Sequence, residues 1–278
     1  MKKIVFLIFF LFLFQINVNA ETVWTSTTNV QRVNNIGQTL LSKNSLPTQV
    51  TFTVDESEDV NAYANGENEI HVYTGLLNVV ENDSELAGVI AHEVGHIVNS
   101  HVAKQSVANA ITSTIISVAN VNTYAKLGAA AANNVAMKKV SRKDEYEADI
   151  TGVDLMTHAG YNPLAMVSFL YKIGGKYQDF LSDHPSGDKR TMYLYDYISY
   201  TYPEKLKLGY NTQAYAQFMQ YATPIVEKRN SSPRKLASFN KKQEKLKKKR
   251  AKKLAKYKNA NPINGWDASY VLLKAFTN

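Results

Sequence analysis

Apolar residues recur three or four positions apart along much of the chain and alternate with polar residues over two short stretches. The first spacing predicts helices and the second predicts strands. Strands are expected at 49–54 and 69–73, with a polar loop between them, and helices at 25–43, 83–102, 139–157, 164–173 and 190–200. Because helices dominate, the pattern predicts an α+β fold that is mainly helical, with a small antiparallel sheet.

The N-terminal residues have the pattern of a secretory signal. Lys2 and Lys3 precede an apolar run from residue 4 to residue 14, and small residues end at Ala20. A charged start, a short apolar centre and a small-residue cleavage site predict an export signal over 1–20, with an uncleaved membrane anchor as the alternative. Residues 103–137 are rich in Ala, Ser, Thr and Asn, which favours packed helices over a membrane hairpin.

The charge of the chain is concentrated in one segment. The net charge is +8, yet residues 228–258 alone hold 15 Lys and Arg against a single acid, Glu244. The rest of the chain is therefore net negative, and no nucleic-acid partner is expected. The segment favours a solvated helix or a flexible tail, and an anionic membrane surface is the partner that it predicts otherwise. The chain has no cysteine, so an exported form relies on its core or on bound metal for stability.

The clearest chemical motif is His92-Glu93-Val94-Gly95-His96, inside the helix predicted after Asn82. His92 and His96 are four residues apart and share one helical face, as two metal ligands must. Zinc takes such neutral imidazoles with a third protein ligand and keeps one position for water. Glu93 follows the first histidine and can take a proton from that water. The motif predicts one Zn²⁺ per chain.

The third ligand is not decided by spacing. The histidine of one large zincin class would stand at position 102, which is Val102 here. His101 lies about 140° round a continuous helix from His96, so we expect it to point elsewhere, as an ordinary surface histidine or as one that supports the site without binding the metal. Downstream, Glu145 and Asp149 share a helical face, which offers a ligand and a carboxylate to orient a ligand histidine. Glu147 stays open as an alternative ligand, because helical phase does not separate it from Glu145.

Further motifs accompany the pentapeptide in a fixed order: Asn61-Ala62, Gly75-Leu76-Leu77, Glu85 to His96, Ser141-Arg142, Glu145 to Asp149, Ala159 to Pro163, and His184-Pro185 with Arg190. With them the sequence resembles the gluzincin family of CAAX prenyl proteases and HtpX-type proteases, and within it the secreted BepA-like branch. The resemblance covers about residues 46–203. It implies a zincin-type metalloprotease domain with the HExxH motif on its active-site helix.

The resemblance also implies roles for single residues. Glu145 rather than Glu147 would be the third zinc ligand, with Asp149 and Arg190 supporting the ligands from behind. His184 would sit over the zinc, where it either stabilises the reaction intermediate or occupies the open position in a latent state. An edge strand formed by Glu69, Ile70, His71, Val72 and Tyr73 would bind an extended peptide substrate.

Two features depart from the family pattern. No tetratricopeptide repeat follows the catalytic motifs, and residues 64–68 stand where the family has a Pro-Gly-Gly run. We therefore predict three parts: a signal peptide (1–20), a zinc metallopeptidase domain (21–205) and a helical C-terminal extension (206–278) with the basic segment 228–258.

The function predicted from the sequence is zinc-dependent endoproteolysis of unfolded or misassembled polypeptides in the cell envelope. The export signal places such an enzyme in the periplasm or another extracytoplasmic space, with membrane association through the basic segment left open. The alternative is a chaperone-like or latent zinc protein whose metal site is closed by His184.

Overall fold

The computed structural model describes residues 18–46, 49–65, 67–101, 142–174, 177, 184 and 188–259. The helices are α1 (Val18–Lys43), α2 (Thr74–Leu77), α3 (Asp83–Val98), α4 (Arg142–His158), α5 (Leu164–Ile173), α6 (Asp188–Thr201), α7 (Pro203–Leu208), α8 (Gln213–Asn230) and α9 (Pro233–Asn259). The strands are β1 (Thr51–Asp55), β2 (Ala62–Ala64) and β3 (Glu69–Tyr73). A mainly helical fold with a small sheet is confirmed. Most of the predicted signal and all of 103–137 lie outside the described residues.

The sheet differs from the prediction in two ways. Its strand order is β1-β3-β2, with β1 parallel to β3 and β2 antiparallel to it, so the sheet is mixed rather than antiparallel. The strand from Glu69 to Tyr73 is central, so its prediction as the edge strand is wrong. The cause is β2, which is only Ala-Tyr-Ala and too short to show alternation inside a polar loop. Because β1 and β2 pair with the two sides of β3, they are the edge strands of the sheet.

Helix α3 is the centre of the core. Asn82 caps it, because its side-chain oxygen accepts from the backbone N–H groups of Ser84 and Glu85 at 3.0 and 3.1 Å. Every residue from Glu85 to Val98 is buried. A helix that is buried all round has neighbours on every side, and here α1, α4, α5 and β2 surround it.

Helices α3 and α4 approach each other through two glycines. A Cβ built on Gly95 would lie 2.7 Å from the carbonyl oxygen of Ala148, and one on Gly152 would lie 3.0 Å from the backbone nitrogen of His92. Larger residues cannot occupy either position without moving a backbone. The close approach puts the side chains of α4 directly against the histidine face of α3.

The C-terminal helices pack onto the same core. Phe218 of α8 is fully buried, with ring contacts to Tyr171 and Tyr195 at centroid distances of 5.7 and 5.3 Å. Helix α9, which contains the basic segment, packs on α6 and α8. In the part of the chain that the structure describes, no helix is long and apolar enough to cross a membrane.

Candidate metal centre

Helix α3 presents its two histidines and its glutamate to the interior. His92, Glu93 and His96 are 2%, 1% and 3% exposed. The Nε2 atoms of His92 and His96 lie 3.0 Å apart, as expected for side chains at positions i and i+4. Two imidazole nitrogens that converge in a buried space, each offering a lone pair, are stabilised by a cation between them.

Helix α4 adds Glu145 to this pair. Its Oε1 lies 3.2 Å from His96 Nε2, and its Oε2 lies 3.5 Å from His92 Nε2. Ligand atoms held tetrahedrally around zinc are about 3.3 Å apart, given metal–ligand distances of 2.0–2.1 Å. The observed spacings of 3.0 Å between the two Nε2 atoms and 3.2 Å from His96 Nε2 to Glu145 Oε1 therefore fit such an ion. We call His92, His96 and Glu145 the ligand cluster.

Asp149 and Arg190 lie behind the ligand cluster. Asp149 Oδ1 is 2.9 Å from His92 Nδ1, so the neutral ring keeps its proton on Nδ1 and turns the Nε2 lone pair towards the cluster. The Arg190 guanidinium donates from Nε and Nη2 to the two Asp149 oxygens at 2.5 and 2.7 Å, and its Nη1 lies 2.6 Å from Glu145 Oε2. One cation thus holds both carboxylates of α4.

His184 lies over the cluster, 4% exposed. Its Nδ1 is 3.3 Å from both His92 Nε2 and Glu145 Oε1, and its Nε2 is 3.2 Å from the carbonyl oxygen of Ala62 in β2. His92, His96, Glu145 and His184 can each offer an atom to one ion, since these four atoms lie within 4.8 Å of one another.

The edge of β2 faces the same space. The Asn61 carbonyl accepts from the Tyr73 N–H, and the Asn65 N–H donates to the Glu69 carbonyl. The alternating pattern of an antiparallel pair therefore turns the backbone groups of Ala62 and Ala64 away from β3. On that side the Ala62 carbonyl contacts His184, and the Ala64 backbone lies within hydrogen-bonding reach of Glu93. The strand that the sequence did not predict is therefore the one beside the candidate centre.

Glu93 lies beside the ligand cluster and is not part of it. Its Oε1 is fully buried, accepts no hydrogen bond from any residue that the structure describes, and lies 3.6 Å from His184 Nε2. Burial raises the pKa of Glu93, although the nearby His184 and His92 act in the opposite direction. A carboxylate with a raised pKa is a better proton acceptor than an exposed one.

The two histidines of α3 differ in their affinity for protons. Burial lowers the pKa of His96 to about 3, because only the contact with Glu145 offsets it. Burial would also lower the pKa of His92, but Glu145 and Asp149 outweigh it and raise that pKa to about 9. Burial likewise opposes ionisation of Glu145, yet Arg190 and the histidines hold its pKa well below the usual range. The cluster thus keeps an ionised carboxylate ready for a cation.

The direction predicted for His101 is wrong. It was expected to point away from His96 along a continuous helix, but α3 ends at Val98 and Ser100 has a left-handed φ of 57°. The break turns the buried His101 ring back, and its Nδ1 lies 3.1 Å from His96 Nδ1. Glu147, the alternative third ligand, points to His101 Nε2 at 3.3 Å and is not in the ligand cluster.

Comparison with known proteins gives a consistent result. Residues 27–197 match the model of peptidase family M48. Mitochondrial metalloendopeptidase OMA1 of Arabidopsis thaliana is 40% identical over 146 residues, which are 49% of this chain and 29% of that protein.

Two bacterial proteins of Escherichia coli are also similar. The beta-barrel assembly-enhancing protease is 26% identical over 179 residues, which cover 58% of this chain and 37% of that protein. Metalloprotease YcaL is 31% identical over 170 residues, which cover 57% of this chain and 66% of that protein. The chain thus spans less than two thirds of the length of each of these relatives.

Proposed function

The chain belongs to peptidase family M48 and is a metalloprotease, and from this premise we propose that it is a zinc-dependent endopeptidase acting on unfolded or misassembled proteins of the cell envelope. The observation that carries the proposal is the buried ligand cluster with Glu93 beside it. The donor set of two imidazoles and one carboxylate is the one that catalytic zinc sites use, and its spacing fits that ion.

Each residue around the cluster has its own role in the proposed peptide hydrolysis. Bound zinc supplies Lewis-acid chemistry, which acidifies water and polarises a peptide carbonyl. Glu93 accepts the proton of the attacking water and returns it to the leaving amine. Asp149 and Arg190 keep the His92 ring and the Glu145 carboxylate in place. The outward backbone groups of Ala62 and Ala64 bind an extended substrate as an additional strand.

The envelope role is supported from two sides. The N-terminal residues have the pattern of an export signal. One relative that shares the catalytic region carries the name beta-barrel assembly-enhancing protease. An enzyme that binds peptide backbone at a strand edge acts on extended segments, and unfolded or misassembled proteins expose such segments.

The Glu93→Gln variant tests the peptidase mechanism. The amide has nearly the same shape but cannot take a proton, so casein cleavage should fall by at least about 100-fold while bound zinc is retained. Glu204→Gln, which changes an exposed glutamate of α7, serves as the control and should cleave at the wild-type rate. Unchanged cleavage by the Glu93 variant would refute the proposed mechanism.

A latent form of the same enzyme is the second candidate, and His184 is the observation in its favour. When His184 Nε2–H donates to the Ala62 carbonyl, the Nδ1 lone pair faces the ligand cluster. In that arrangement His184 covers both the open metal position and the strand edge. His184→Ala separates the readings: cleavage rises if the histidine blocks the site and falls if it stabilises the intermediate.

A further inference from the structure

His101 joins the ligand cluster to a second group of polar residues. It is 6% exposed and lies between His96, at 3.1 Å from Nδ1 to Nδ1, and Glu147, at 3.3 Å from His101 Nε2 to Glu147 Oε2. Asp144 Oδ1 is 3.6 Å from the same Nε2. The ring therefore has a partner on each of its two nitrogens.

The direction in which His96 Nε2 points determines which ring nitrogens of His96 and His101 carry protons. A metal-binding His96 uses the Nε2 lone pair that faces Glu145, so its proton sits on Nδ1. That N–H can donate only if His101 Nδ1 carries a lone pair. The His101 proton then sits on Nε2 and points to Glu147. The opposite assignment would place two N–H groups against each other at 3.1 Å.

The same reasoning excludes a second metal ion. His101, Asp144 and Glu147 have ligand atoms within 4.8 Å of one another, which is the spacing of a candidate metal site. However, an Nε2 that carries a proton has no lone pair for a metal. The carboxylate of Glu147 is therefore the acceptor at the end of a hydrogen-bonded chain from His96 through His101.

We propose that His101 is a positioning residue that fixes the ring orientation and tautomer of His96, as Asp149 does for His92. This rests on the proposed metal site. Hydrogen-bond partners of ligand histidines are worth about 10- to 100-fold in metal affinity. Loss of the acceptor on His101 should therefore weaken zinc binding by that factor without removing any ligand.

Zinc affinity measured by competition with a chromogenic chelator tests the proposal without any activity assay. His101→Leu should bind zinc about 10- to 100-fold more weakly than the wild type. His101→Asn should restore most of the affinity, because its side-chain oxygen can replace Nδ1 as acceptor. His158→Leu changes an exposed histidine at the end of α4 and is the matched control, with wild-type affinity.

Two further measurements distinguish a change in ligand geometry from a loss of folding. The visible absorption bands of the cobalt-substituted protein should shift in His101→Leu and be nearly restored in His101→Asn, because they report ligand geometry. Circular dichroism of the zinc-free variants shows whether each is folded. Equal zinc affinity in wild type and His101→Leu, or a second bound ion lost in His101→Leu, overturns the proposal. A wild type that binds no metal would refute the proposed function instead.

A second, independent observation concerns α9. The helix packs on the protein through one seam, where Gln243 and Arg250 are buried and Leu246 contacts the core. Arg250 donates to Asp154 of α4 from Nε and Nη2 at 3.4 and 3.3 Å. Residues 243–250 of the basic segment are therefore held against the rest of the protein.

The opposite side of α9 carries a row of lysines. Lys241, Lys245, Lys248 and Lys252 are exposed and spaced four, three and four residues apart, which forms a straight stripe of about 16 Å. The single acid of the segment, Glu244, accepts from the Tyr200 hydroxyl at 3.1 Å and lies 3.4 Å from Lys248. We call these four residues the lysine stripe.

We infer that the lysine stripe binds the surface of an anionic phospholipid bilayer. A rigid, straight row of like charges matches a flat surface of many negative headgroups, and clusters of four or more basic residues suffice for such binding. Apart from Asn240 and Ala251, every exposed residue from 240 to 252 is a lysine. This part of α9 therefore lacks exposed arginine and aromatic side chains, which proteins use for bidentate contacts and base stacking with nucleic acids.

Co-sedimentation with vesicles tests this inference. The protein should bind vesicles of equal parts phosphatidylglycerol and phosphatidylcholine, and not phosphatidylcholine alone. The pair Lys245→Glu with Lys248→Glu should weaken binding at least about tenfold. Lys43→Glu with Lys207→Glu makes the same charge change at exposed sites elsewhere and should bind far better than the stripe variant. Equal binding by the two variants, or tighter binding to duplex DNA at equal phosphate concentration, overturns the inference.

Discussion

At the scale of single residues, the candidate centre contains two buried carboxylates whose charge is compensated by one buried guanidinium. Asp149 and Glu145 are fully buried, and the Arg190 guanidinium contacts both. Burial opposes ionisation of both carboxylates, yet the contact with Arg190 keeps their pKa values below the ordinary range. A bound cation would share that role for Glu145, so Arg190 matters most in the metal-free protein.

Arg190→Met should lower the free energy of unfolding of the zinc-free protein by about 3–5 kcal/mol, because it leaves two buried carboxylates without their cation. Added zinc should recover part of this loss by neutralising Glu145. Urea unfolding with EDTA and with zinc measures both values. Arg32→Met removes the more exposed pair with Asp83 and should cost about 1 kcal/mol or less. An equal loss in the two variants would contradict this account of Arg190.

Some relations between residues could be predicted from the sequence and others could not, and the difference has a physical reason. The relation of His92 to His96 follows from local helical geometry, so it was predictable. The position of His101 was not, because a single left-handed residue, Ser100, ends the helical phase from which its direction was calculated. The contact of Arg190 with Asp149 joins residues 41 positions apart, and the family resemblance implied only that both residues support the ligands.

At the scale of elements, the close crossing of α3 and α4 determines where Glu145 stands. Gly95 faces the Ala148 carbonyl, and Gly152 faces the backbone of His92. The helices themselves were predictable from their periodicity. The crossing was not, because glycines in a helix have several uses and the sequence does not say which backbone they approach.

The sheet, too, could be predicted only in part from the sequence. Strands β1 and β3 alternate clearly and were predicted, whereas β2 owes its existence to pairing with β3 and has little local signal. The identity of the edge strand was therefore wrong, although the presence of a small sheet was right.

Gly95→Ala should separate the two helices. The added Cβ would lie 2.7 Å from the Ala148 carbonyl oxygen, so α4 must shift and carry Glu145 away from the histidines. We expect a loss of about 1–3 kcal/mol in stability, despite the better helix propensity of alanine, together with weaker zinc binding. Gly88→Ala is the control on the same helix, since its Cβ would make a tight contact of 3.2 Å with Met166 Cβ of α5 and would not touch α4. Equal effects on zinc binding would contradict the role given to the crossing.

At the scale of the whole molecule, the candidate centre connects parts of the chain that are far apart in sequence. Its four potential ligands come from α3, from α4 and from position 184. A ligand that binds only the folded state stabilises it by mass action. A metal at this centre should therefore act on the unfolding of the protein as a whole and not only on catalysis.

Removal of metal provides the last prediction, which also decides between the two glutamates. Wild-type protein with zinc at about 1,000 times its Kd should gain about 4 kcal/mol over protein in EDTA, seen as a higher thermal midpoint. Glu145→Ala should lose most of this gain, because it removes a ligand. Glu147→Ala should keep most of it, because Glu147 contacts His101 and lies outside the ligand cluster. The reverse result would make Glu147 the third ligand and would contradict the arrangement of α4 described above.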